Sequence, residues 1–136
     1  MSDLEVGRIV AEKTYPLTRD TLVRYAGASG DFNPIHYRDD AARSVGLDGV
    51  LAHGMLTMGL AVQPVVEWLG GDPGKVLDYQ VRFTRPVVVD PEAGADVEVV
   101  AKVGAIDDAG LRIDLTVTVG GETVLGKAQV RVPAQP

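Results

Sequence analysis

Residues 111–119 of this 136-residue chain alternate without a break. Leu111, Ile113, Leu115, Val117 and Val119 fall on one parity, and Arg112, Asp114, Thr116 and Thr118 on the other. A period of two sends every apolar side chain to one face of a strand, so the chain must build a sheet with a buried face. The same pattern recurs on both sides. Leu77, Tyr79, Val81 and Phe83 alternate with polar residues, Val97 to Ala105 form an odd-numbered apolar row, and Val124, Ala128, Val130 and Val132 point inward on a fourth strand. Turn residues separate these runs at Pro91–Gly94, Asp107–Gly110 and Gly120–Gly121, which predicts an antiparallel meander.

The first half has a different rhythm. Gly7 to Tyr15 offers one more strand. Thr18 has the chemistry of a helix N-cap, Leu22, Tyr25, Ala26 and Ser29 then share one helical face, and Gly30 ends the helix. Residues 31–52 read as irregular, with a short helix around 40–45. From 54 to 69 a second helix is apolar on nearly every side, with Pro64 predicting a kink. Such a helix has to be enclosed. The expected architecture is therefore α+β, a single hot-dog domain over residues 1–136 in which a curved antiparallel sheet wraps around a long buried helix. One sheet cannot cover a helix on all sides, so the remaining apolar surface predicts a dimer.

Composition removes several function classes. The chain has no cysteine, which excludes disulfides, thiolate metal sites and cysteine nucleophiles. A formal net charge of −6 leaves no general excess of cations to displace counterions from nucleic acid, so no nucleic-acid partner is expected. The N-terminus is acidic and lacks the apolar run of a secretory signal. The most apolar stretch, Val50 to Val66, is interrupted by His53, Gly54, Gly59, Gln63 and Pro64, so no membrane span is expected. Together these features predict a cytoplasmic protein.

Both histidines, His36 and His53, lie in the stretch that strand and helix patterns leave unexplained. It reads Gly30-Asp31-Phe32-Asn33-Pro34-Ile35-His36, then Leu51-Ala52-His53-Gly54-Met55. Pro34 pushes Asn33 away from helical angles, so the chain turns between Asp31 and His36. A turn can bring a carboxylate and an imidazole into one small volume, where the imidazole exchanges protons near neutral pH. Asp-x-Asn-Pro also reads as a plain Asx turn, and an isolated histidine as a packed or surface residue. Gly54 opens the long apolar helix, where free N–H groups and the absence of a side chain suit an oxyanion site. The alternative is a glycine required for packing. Other chemistries fit less well. Gly121 to Lys127 imitates a phosphate loop, but Ala128 stands where a magnesium-binding hydroxyl belongs. The histidine spacing matches no familiar metal set, and no nucleophile elbow surrounds Ser29 or Ser44.

Gly-Asp-Phe-Asn-Pro-Ile-His at 30–36 and Ala-His-Gly-Met-Leu at 52–56 resemble the hydratase-2 motif of the MaoC-like, (R)-specific enoyl-thioester hydratases. Glu12–Thr18, Ala52–Gly59 and Val81–Thr84 extend the likeness, within that family, to the beta subunit of the mycobacterial (3R)-hydroxyacyl-carrier-protein dehydratase. The resemblance implies hydration of trans-2-enoyl thioesters, or dehydration of (3R)-hydroxyacyl thioesters, carried by CoA or acyl carrier protein. It implies Asp31 and His36 as catalytic residues, Gly54 as the oxyanion N–H donor, Asn33 and His53 as further substrate-binding residues, and no cofactor or metal. It also implies a dimer, either of identical chains or with a non-catalytic hot-dog subunit. Some CoA hydratases of the family carry a serine about two turns after the glycine, where this chain has Leu60-Ala61-Val62-Gln63. Arg82 and Arg85, with Lys75 nearby, are candidates for the phosphates of the carrier or are the solvent face of a strand. An acyl-thioester hydrolase and a non-catalytic acyl-binding subunit are the competing readings, because one fold hosts several chemistries.

Overall fold

The computed structural model describes residues 4–136; residues 1–3 of the acidic N-terminus lie outside the described part. The chain runs through strand β1 (Ile9–Leu17), helices α1 (Arg19–Ser29), α2 (Asp39–Ser44), α3 (Gly54–Ala61) and α4 (Gln63–Trp68), then strands β2 (Asp78–Phe83), β3 (Ala95–Asp107), β4 (Gly110–Val119) and β5 (Glu122–Val132). All strand pairs are antiparallel, in the order β1-β3-β4-β5-β2. The alternating rows face one core: Val97, Val99, Ala101 and Val103 on β3 pack with Leu111, Ile113 and Val117 on β4 and Val130 and Val132 on β5. This curved sheet against α3 and α4 is the expected hot-dog arrangement.

Three details differ from the sequence reading. Only β3, β4 and β5 form a meander. β2 lies at the far edge beside β5, with Tyr79 opposite Val130. Residues 84–94, which include Pro86 and Pro91, are too long and too broken for a hairpin, and part of them pairs elsewhere, with Val88 bridging to Leu51. Second, Ala105 leaves the buried row because β3 shifts register between Val103 and Ala105. The Asp114 carboxylate occupies the space there, and a Cβ on Gly104 would stand 2.1 Å from its Oδ2.

Third, the long apolar helix is two helices. Pro64 has no N–H to donate to Leu60 O, so α3 stops at Ala61 and Pro64 becomes a first-turn residue of α4. Thr57, Ala61, Pro64, Val65 and Leu69 are buried, but Met55 is 62% exposed. Enclosure on every side is therefore not reached within one chain. Across the break, the Tyr79 hydroxyl on β2 donates to Met58 O at 2.6 Å and ties α3 to the sheet edge. Burial pushes the Tyr79 phenol above its usual range, so it stays a donor at any physiological pH. Tyr79→Phe is expected to cost about 1 kcal/mol in urea unfolding with an unchanged m-value, the worth of one part-buried hydrogen bond.

Among the described residues, no helix is long and apolar enough to cross a membrane.

Candidate active site

Between α1 and α3 the chain forms a segment held by its own side chains. Thr18 caps α1 through Thr21 N, and Gly30, in the left-handed conformation at φ 78°, closes it by donating to Ala26 O. The next residues form linked Asx turns. Asp31 Oδ1 accepts from Asn33 N at 3.2 Å, and Asn33 Oδ1 accepts from Ile35 N at 3.2 Å. Asn33 thereby caps a one-turn 3-10 helix, Pro34–His36. Its side chain builds the turn that separates Asp31 from His36.

That turn delivers His36 to a buried position, 7% exposed, with Nδ1 at 2.7 Å from Leu51 O. A carbonyl oxygen only accepts, so Nδ1 carries the hydrogen and Nε2 of the neutral ring presents a lone pair. Nε2 faces Asp31 Oδ2 at 4.0 Å. Two acceptors at that separation do not bond to each other. A water set at the usual ~2.8 Å from each would meet them at roughly 90°, close to the angle between its own two O–H bonds. A single water can bridge that separation.

His53 lies behind this pair. It is 2% exposed, its ring stacks on His36 at 3.8 Å between centroids, and Tyr25 meets its edge at 4.7 Å. His53 Nε2 lies 3.1 Å from Asp31 O, again a carbonyl, so Nε2 is the protonated nitrogen. Its Nδ1 is buried without a hydrogen-bond partner among the described residues. His53 thus braces both Asp31 and His36 from within. Asp31, His36 and His53 bring ligand atoms within 4.8 Å of one another. The two imidazole planes are only 20° apart, however, and a ring nitrogen binds a metal along a lone pair in its own plane. Stacked rings cannot both aim at one ion, so the cluster does not suit a metal.

Gly54 begins α3 beside these groups. His53 is its N-cap and makes no side-chain capping bond; Leu56 N and Thr57 N turn back to His53 O. Neither Gly54 N nor Met55 N has a partner among the described residues, which leaves two N–H groups and the positive helix end for a ligand. A Cβ on Gly54 would lie 2.9 Å from Phe83 Cε1, so the Phe83 ring rests against this glycine. One cleft of about 270 Å³ opens onto Tyr25, Asp31, His53, Gly54 and Phe83. A second, of about 260 Å³, continues from Gly54 and Phe83 towards Ala52, Thr57, Val87 and Leu125.

The two arginines part company. Arg85 stands at the rim of the second cleft, donating to Thr123 O at 3.1 Å, with Glu122 3.9 Å away. Arg82 lines a separate, small cleft with Gln80 and Lys127. Phe83, read from the alternation as an inward strand residue, is 54% exposed and forms part of the site.

The sequence reading also missed a clamp. Asp39 Oδ1 accepts from Val50 N at 3.0 Å and from Arg19 Nη2 at 2.9 Å, and Arg19 Nε donates to Val89 O. The Val50 N–H first, and the Arg19 guanidinium second, hold the Asp39 carboxyl below the usual aspartate range. A carboxyl whose pKa is lowered by folding contributes stability above its unfolded value and loses it as pH falls through the folded one. Thermal melts should show wild type losing more stability than Asp39→Asn when pH drops below about 4.

The MaoC like domain family matches residues 5–120. The 3-hydroxybutyryl-CoA dehydratase of Methylorubrum extorquens is 32% identical over 132 residues, 96% of this chain and 82% of that protein. The 3-hydroxyacyl-thioester dehydratase X of Mycobacterium tuberculosis is 40% identical over 78 residues, which are 57% of this chain and only 26% of the relative's length. A solved MaoC-like dehydratase superposes with a TM-score of 0.91 at 38% identity, covering 97% of this chain and 41% of that one. This chain thus spans well under half of some relatives and most of others, and by its matched residues, its hot-dog fold and its full-length likeness it belongs to the MaoC-like family of hydratases and dehydratases.

Proposed function

We propose that the chain adds water reversibly to trans-2-enoyl thioesters, and in reverse removes it from (3R)-hydroxyacyl thioesters, with Asp31 and His36 as the catalytic pair. The observation that supports this most is the pair of acceptors 4.0 Å apart beside an unpartnered helix N-terminus. The thioester carbonyl accepts from Gly54 N–H, which draws electron density from C3 and stabilises the enolate-like oxygen that develops. The water held by Asp31 and His36 forms its O–C3 bond as its proton passes to His36 Nε2. The C2=C3 electrons move towards the carbonyl, and the Asp31–His36 pair returns one proton to C2. The sum is one water added to one double bond, from one side of the substrate.

Arg85 at the rim of the second cleft supports a CoA or carrier-protein phosphate entering from that side. Exposed Leu77 (59%) and Met55 (62%) support a dimer, with a second copy as the default partner and a non-catalytic hot-dog subunit as the alternative. Sedimentation of the purified chain distinguishes them: a lone monomer would favour the heterodimer.

Mixing the protein with trans-2-enoyl-CoA should bleach the conjugated thioester absorbance and yield the (3R)-hydroxyacyl product. Release of free thiol without hydrated product would overturn the hydratase reading in favour of a hydrolase. Binding with no turnover of either CoA or carrier-protein substrates would leave an acyl-binding subunit.

A further inference from the structure

We propose that Asp39, clamped by Arg19, is a positioning residue that fixes the tautomer and orientation of His36. The inference rests on His36 serving as the base of the proposed reaction, but the structural part of its test does not.

His53 stacks on the face of the His36 ring, while the hydrogen bond to Leu51 O decides which nitrogen carries the hydrogen and where the ring edge points. Its direction therefore depends on where the Leu51 peptide is held. Leu51 N donates to Ile35 O at 3.2 Å, but that only ties the segment to itself. The carbonyl's own peptide is held through Ala52 N, which donates to Val87 O at 2.9 Å, and the residue before Leu51 is held through Val50 N, taken by Asp39 Oδ1 at 3.0 Å. Asp39 is fixed in turn by Arg19 Nη2 at 2.9 Å, with Nη1 at 3.4 Å from Oδ2. Arg19 also donates through Nε to Val89 O, and Val89 N donates to Val50 O at 2.9 Å. One guanidinium thus joins α1 to Asp39 on α2 and to the Val87–Val89 segment, which in turn receives Ala52 N of the peptide that carries Leu51 O. Its planar fork serves two acceptors at once, which an ammonium cannot reproduce.

Close packing leaves little tolerance around this tie. Val50 is fully buried, and a Cβ on Gly49 would stand 3.2 Å from Asp39 Oδ1. Without the carboxylate, Val50 N is a buried donor with no acceptor and Arg19 loses the partner that aims its Nε at Val89 O, so the paired segments 50–52 and 87–89, which carry Leu51 O, shift together. His36 then loses the acceptor that selects Nδ1–H. Imidazole free in water prefers the Nε2–H form, which would place a hydrogen where the attacking water has to be deprotonated.

The neighbouring Arg38–Asp40 pair supplies a control. It is an exposed ion pair in the same first turn of α2, with side chains 59% and 69% exposed and no bond to the Val50–Leu51 peptide. Asp40→Asn therefore perturbs the same turn without touching the clamp.

The test combines histidine tautomer assignment by ¹⁵N NMR with steady-state hydration kinetics on wild type, Asp39→Asn, Arg19→Gln and Asp40→Asn. The wild-type and Asp40→Asn proteins should show His36 as Nδ1–H. Asp39→Asn and Arg19→Gln should shift it towards Nε2–H, with kcat lowered about 10- to 100-fold and KM changed less than about twofold. Unchanged tautomer and kcat in both clamp variants would overturn the proposal. So would an equal loss in Asp40→Asn, or failure of both clamp variants to fold, since the pair would then serve the fold alone. If wild type hydrates no enoyl thioester, the proposed function fails, while the tautomer measurement still decides the clamp.

Discussion

Asp31→Asn is expected to lower kcat/KM for enoyl-thioester hydration by about 10²- to 10⁴-fold, the range attributable to a positioned acid–base group. The side chain is 53% exposed, and its one hydrogen bond within the turn, to Asn33 N, can be kept by the amide oxygen. Stability should therefore change little, so lost turnover would report on chemistry. His36→Ala should lose a similar factor but with a structural cost, because Leu51 O is left without its donor in a part-buried site. The decisive variant is the double mutant. If Asp31 and His36 hold the same water, removing either already releases it, and removing both should cost little more than the worse single change. Two fully additive losses would mean that the residues act on different atoms, and a single shared water would be wrong. Near-native turnover in both single variants would remove the pair from the mechanism altogether.

What could be read in advance follows from the kind of signal each feature leaves. β4 was fully legible because a half-buried strand must alternate, and Leu111 to Val119 do. The same logic gave the strand containing Tyr79 and Phe83 but not its neighbour: periodicity tells which face is buried, not which strand lies alongside. Hence β2 was expected next to β3 and is found beside β5. The helix over 54–69 was correctly seen as apolar, and Pro64 as a disturbance, yet whether a proline kinks or divides a helix depends on what replaces the lost bonds. Here Tyr79 on a remote strand takes up Met58 O. In the site, Asp31, His36, His53 and Gly54 stand out because they lie in or beside the stretch that strand and helix periodicity leaves unexplained. Leu51, whose carbonyl orients His36, contributes only its backbone, and no side-chain pattern can announce that. Arg19 and Asp39 look like ordinary first-turn charges on two separate helices. Their shared role appears only when Val50 and Val89 are brought between them.

Gly54→Ala separates the oxyanion reading from a packing reading, because the two predict opposite balances of stability and activity. Gly54 is the first residue of α3 and has no positive φ, so alanine is compatible with the backbone and improves helix propensity. The new methyl would meet Phe83 Cε1 at 2.9 Å, but Phe83 is 54% exposed and its ring can swing outward. Melting temperature should therefore stay within a few degrees of wild type. Activity should not. The methyl would project beside the Gly54 N–H, from a residue that lines both clefts, into the space a thioester oxygen needs to reach that donor. Loss of one such donor costs about 3 kcal/mol of transition-state stabilisation, or some 10²-fold in kcat. A fall in kcat of that size with a retained melting temperature would support charge stabilisation at Gly54. A lowered melting temperature with kcat intact would make the glycine a packing residue. The carbonyl would then have to be polarised from elsewhere, with Met55 N, the other unpartnered donor at this helix end, the next group to test.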